Sequence, residues 1–169
     1  MKRSTPLAMA FAAQCIAAPV AAQTYDPARI VKSVETADLV ALVRNLDHEV
    51  IETSPEQGDR SLLAKDADGF VYSLSGTACD ANGVSGCQGV MMQVRFDAPE
   101  GLGADAIMRA SLQIASISTW LDRENNTLGM TRYVVLDHGV TLANLRENVL
   151  VLLASAPAAL DVVTGKDAP

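Results

Sequence analysis

Along this chain the spacing of apolar residues changes several times, and each change marks an element. Leu39, Leu42, Val43 and Leu46 recur at three and four residues and predict a helix from Thr36 to Leu46. Thr36 suits its N-cap, where a hydroxyl can take a free backbone N–H, and Asp38 and Arg44 fall at the ends the helix dipole favours. From His48 the period drops to two. His48–Thr53 and Arg60–Lys65 read as strands on either side of the breaker run Ser54–Asp59, and Phe70, Tyr72 and Leu74 alternate along a third. In Gln88–Asp97, Val90, Met92, Val94 and Phe96 take one face and Gln93, Arg95 and Asp97 the other. Residues 48–97 therefore predict an antiparallel meander, one face on a helix and the other toward water or a partner.

The period lengthens again from Leu102 to Asn126. Ile107, Ala110, Ile114, Ile117 and Leu121 fall on one helical face, widened by Met108, Leu112 and Ala115, and predict one long helix lying on the sheet. Met130–Asp137 reads as a further strand. Thr141 caps a last helix whose inner stripe is Leu142, Leu145, Val149, Leu152 and Leu153, with Leu150 and Val151 making it apolar on other sides too. Pro157 is expected to stop that helix and leave residues 157–169 as a loose tail. Ile30, Val31 and Val34 form a short strand or a packed lead-in. The class expected is α+β, an antiparallel sheet packed by a long central helix and flanking N- and C-terminal helices.

The N-terminus changes the setting. Lys2 and Arg3, an apolar run from Leu7 to Val20, and small residues at Val20-Ala21-Ala22 have the three parts of a secretory signal, with cleavage between Ala22 and Gln23. The apolar run is shorter than the ~20 residues of a spanning helix, and Gln14 before Cys15 argues against a lipoprotein signal. Residues 1–22 hold two of the 13 basic residues and none of the 20 acidic ones, so the mature chain has 11 basic against 20 acidic residues, a net charge of −9. Such a chain has no electrostatic reason to hold nucleic acid or anionic lipid. No other segment reads as long and apolar enough for membrane insertion after cleavage. The expected location is the periplasm, with residues 23–35 a leader, 36–156 one domain and 157–169 the tail.

Two cysteines remain after cleavage, Cys79 and Cys87, around the turn-rich run DANGVSG. In an oxidising compartment the default is a disulfide, worth on the order of 2 kcal/mol for so short a loop. A metal site would need more ligands, and a redox pair usually reads C-x-x-C. Elsewhere the chain offers little reactive chemistry. Its two histidines, His48 and His138, each have acidic neighbours, and a hydrolase using one of them with a carboxylate is the alternative function. Asp66 and Asp68 lack the twelfth-position Glu of a calcium loop, Thr77 standing there. Gly83-Val84-Ser85-Gly86-Cys87 is no nucleophile elbow, because Cys87 replaces the last Gly. No cofactor is expected. The most pointed cluster is Trp120, Asp122, Arg123 and Glu124, in which Trp120 beside Arg123 could anchor a partner or simply cover the sheet edge.

The order of elements, Phe96-Asp97 with Pro99, the run Trp120, Arg123, Glu124, Asn125, and Gly139-Val140-Thr141 followed by Leu145 resemble the YbjN family of bacterial sensory transduction regulators. The resemblance spans roughly residues 36–155 and implies a type III secretion chaperone-like fold. It also implies a chaperone-like or regulatory binding role, with no catalytic residues and no cofactor. That family usually has a two-strand hairpin before its last helix. Residues 126–138 leave room for only a short hairpin or a single strand. The function expected is a non-catalytic periplasmic module that binds a protein or peptide, as a monomer or homodimer. Trp120, Arg123, Leu150 and Val151 are the expected partner contacts.

Overall fold

A computed structural model describes residues 24–54 and 60–166, so the expected signal segment and its cleavage point at Ala22 and Gln23 lie outside the described residues. In chain order the elements are β1 (Ile30–Val31), α1 (Thr36–Asn45), β2 (Glu49–Ser54), β3 (Ser61–Lys65), β4 (Val71–Cys79), β5 (Cys87–Asp97), α2 (Ala104–Gln113), β6 (Ser118–Asp122), β7 (Thr127–Val135), β8 (Val140–Thr141) and α3 (Leu142–Thr164). Six strands form one sheet in the order β2-β3-β4-β5-β7-β6, each neighbour antiparallel. The α+β class, the meander over residues 48–97 and a helix at each of the three expected places stand as expected, two of the helices with other bounds. The short lead-in β1 pairs with β8.

One face of the sheet is the core. Tyr72, Leu74, Val90, Met92, Leu128 and Met130 are buried on it. There α1 packs over β2 and β3, α3 over β5 and β7, and α2 against β6 and α3. The cap of α1 is Glu35 rather than Thr36. Its backbone N–H donates to Asp38 Oδ2 at 2.9 Å, and Asp38 also holds Arg29. The Asp38 carboxylate, at the third helical position, thus satisfies the cap residue's own N–H, one half of a capping box. At α3 the expected cap holds: Thr141 Oγ1 accepts from the Asn144 N–H at 3.1 Å.

The long central helix is the main correction. α2 ends at Gln113, and residues 118–122 are a strand. Ile117 and Leu121 are four apart, a spacing that serves one face of a helix or, equally, one face of a strand. Between them lie the β-formers Thr119 and Trp120, and there the sheet prevails. The hairpin β6–β7 is therefore complete, against the expectation of a shortened one. Asp122 Oδ1 accepts from the N–H groups of Glu124 and Asn125 at 3.0 and 3.3 Å, and Asn126 takes a left-handed φ of 48°.

The second correction lies at the end of the chain. α3 does not stop at Pro157 but continues to Thr164 and is capped by Gly165 at φ 70°. Helix-interior proline forfeits one backbone bond and costs ~3 kcal/mol. Against that, Ala156, Ala159 and Val163 continue the buried stripe of Leu145, Val149 and Leu152. The segment expected as a loose tail is thus helical through Thr164. At 23 residues, with a mean hydropathy of 1.4 over an 18-residue window, α3 is also long and apolar enough to cross a membrane, contrary to the sequence reading. Here its buried stripe lies on the sheet and α2.

Candidate functional site

Two grooves and one crosslink stand out. Cys79 and Cys87 face each other directly across β4 and β5 and are joined as a disulfide, as expected. Arg60 sits beside it, 3.8 Å from Cys87 Sγ, and pairs with both Asp80 and Glu35. Hydrogen bonding to Arg60, and then to the Gly86 N–H, holds the Asp80 carboxyl below its ordinary range. This network ties the disulfide turn to the start of α1.

The first groove runs between α2 and β6, has a volume of about 730 Å³, and is lined by Ala104, Ile107, Met108, Leu121, Asp122 and Arg123. On the outer side of α2, Met108 is 58% exposed and Leu112 76%. β6 is the end strand of the sheet, so beyond it the ladder has no further strand among the described residues. Arg123 Nη2 leans back to the Leu102 carbonyl at 3.5 Å.

The second groove crosses the open face of the sheet, with a volume of about 400 Å³. Ser61, Ser73, Ser75 and Met91 form its middle, Glu52 lies at the β2 end and Arg95 at the other. Beside it is a closed set of contacts. The Arg95 guanidinium stands 5.9 Å from the centre of the Trp120 ring and donates to Gln93 Oε1 at 3.1 Å. Gln93 Nε2 and Trp120 Nε1 both donate to Thr131 Oγ1, at 3.0 and 2.8 Å. The indole lies against Gly129, where any side chain would run into the ring. Trp120 is therefore part of the sheet face and a support for Arg95, the arrangement in which an amphipathic aromatic packs its body and satisfies its N–H.

The expected partner contacts are divided by the fold. Trp120 lies on the open face and Arg123 on the turn after β6, while Leu150 and Val151 are half-buried on α3. The sequence reading missed Met108 and Leu112 as exposed residues because the long-helix reading placed them on a buried stripe. It missed Arg95, Gln93 and Thr131 as a unit because they come from two strands far apart in sequence. The two histidines are likewise separated by role. His48 Nδ1 meets the hydroxyl of buried Tyr72 at 2.9 Å, and burial pushes that phenol's pKa up. His138 is 99% exposed on the turn before β8, with Asp137 at 3.8 Å. Neither lines either groove.

Neither a protein-family model nor a curated protein matches this chain. Solved structures do. YbjN from E. coli superposes with a TM-score of 0.52 at 12% identity, covering 76% of this chain and 95% of that one. An uncharacterized protein from Methanothermobacter thermautotrophicus gives 0.56 at 9% identity, covering 78% and 98%. A chain of the HopA1-SchA chaperone-effector complex gives 0.49 at 12% identity, covering 74% and 96%. The chain has a YbjN-like fold.

Proposed function

We propose that this chain is an exported, non-catalytic member of the YbjN family that binds a protein or peptide partner in the periplasm, in a chaperone-like or regulatory role. One observation carries the reading: the apolar side of α2, with Met108 and Leu112 exposed, stands beside the end strand β6 over a groove lined by Ile107 and Leu121. Exposed apolar side chains next to an open strand edge favour docking of another chain, because both the side chains and the unpaired backbone groups gain by it. The partner to test first is a second copy of the chain, which can place the same groove on both sides of a two-fold axis.

A sedimentation series over protein concentration, with crosslinking in the periplasm, tests it. The wild type is expected to self-associate or to be recovered with a partner. Leu112→Asp is expected to abolish that while leaving stability within about 0.5 kcal/mol, since the residue is exposed. A monomer at every concentration with no crosslinked partner would overturn the reading.

A further inference from the structure

We propose that the open face of the sheet holds a second, separate binding site, for a small polyhydroxyl ligand bearing one carboxylate, of the uronic-acid type. The charge of the site comes from Arg95. It makes no ion pair among the described residues, and Trp120 and Gln93 hold it in place. A guanidinium steadied by stacking and by one neutral acceptor keeps its remaining donors for a ligand, and its forked geometry suits a carboxylate.

The rest of the groove argues for hydroxyls. Ser61 and Ser75 face each other across β3 and β4, and Ser73 faces Gln93 across β4 and β5. All four line the same volume of about 400 Å³, which lies in the range of small-ligand sites. The three serine side chains have no hydrogen-bond partner among the described residues. A serine hydroxyl both donates and accepts, as a sugar hydroxyl does. Leu63, opposite Ser73 on β3, and Met91, opposite Ser75 on β5, flank the serines of β4 and offer apolar surface to the C–H face of a ring. Glu52 at the far end accepts from ligand hydroxyls and repels a carboxylate, which fixes the ligand's charged end toward Arg95.

A peptide is the poorer occupant here. The groove crosses the middle strands β3, β4 and β5, whose backbone groups already pair with one another, so an added main chain would find no ladder to join. Recognition must run through side chains, and these suit a compact polar ring.

Titration of the full-length protein with D-glucuronate, followed by amide and indole NMR shifts, tests the site. Saturable shifts at Ser73, Ser75, Gln93, Arg95 and the Trp120 indole N–H are expected, with D-glucose bound at least about tenfold more weakly for want of the charged contact. Arg95→Gln is expected to lose about tenfold or more in affinity, and Ser73→Ala with Ser75→Ala to weaken binding with Arg95 intact. Arg123→Gln, which alters the α2–β6 groove and not the open face, should leave it unchanged. Absence of saturable shifts in the wild type, equal binding of glucose, or full affinity in a folded Arg95→Gln variant would overturn the proposal. Because Leu112→Asp should leave glucuronate binding intact, failure here and failure of the α2–β6 reading are separable.

Discussion

The two edges of the six-stranded sheet are built on opposite plans. At one end β2 carries Glu49, Ile51, Glu52 and Thr53, all exposed, and a register shift between Val50 and Glu52 breaks its ladder with β3. Charges and a bulge are the devices by which an open edge avoids pairing with another chain. At the other end β6 is straight in register with β7 from Ser118 to Asp122, and α2 flanks it with exposed Met108 and Leu112. One edge is guarded and the other is left open beside apolar side chains. The contrast makes β6, rather than β2, the edge at which the proposed docking would take place.

The comparison can be broken most sharply at Gly129. The indole of Trp120 occupies the space a side chain would need, so Gly129→Val must displace the indole from the sheet face. A loss of about 1–3 kcal/mol is expected, as for overpacking elsewhere. Urea unfolding followed by the single Trp of the chain would show both the lower midpoint and an altered folded-state signal. Trp120→Phe is milder. It removes the donor to Thr131 and should cost about 1 kcal/mol, read by circular dichroism during urea unfolding.

Acid should act on the β6 edge as well. Asn125's side-chain amide, then backbone N–H groups, hold the Asp122 carboxyl below its ordinary range. A carboxyl with a lowered folded pKa stabilises the fold above its unfolded value of about 4 and loses that contribution as pH falls through the folded value. The Trp120 signal should therefore begin to change below about pH 4, and Asp122→Asn should flatten that dependence. A wild-type signal flat down to full unfolding would show that the turn does not control this edge. The smallest effect belongs to β2. Ile51→Lys, at an exposed position in the bulge, should change stability by less than about 0.5 kcal/mol and leave self-association as it was. Any gain or loss of association there would undo the contrast between the edges.

Much of the fold was legible in one dimension. Period-two alternation in residues 88–97 needs only local geometry, because adjacent side chains of a strand must point to opposite faces. The cysteine pair was legible for the same local reason, with a turn-rich run between two strands. The candidate sites were less so. The Arg95–Gln93–Thr131–Trp120 set joins β5, β7 and β6, and nothing in the spacing along the chain marks residues that meet only across strands.

What the sequence determined by itself was each element whose pattern admits a single period: α1, the four-strand meander, the disulfide turn and the start of α3. What tertiary structure decided were the two places where local signals conflict. At residues 114–122 a four-residue spacing fits helix and strand alike, and pairing with β7 resolved it by giving the backbone a ladder and Leu121 a buried neighbour in Leu128. At Pro157 local chemistry favours a stop, and burial of Ala159 and Val163 carried the helix past it. In both cases the deciding free energy comes from contacts with chain distant in sequence or with a packed face, and a local pattern does not contain them.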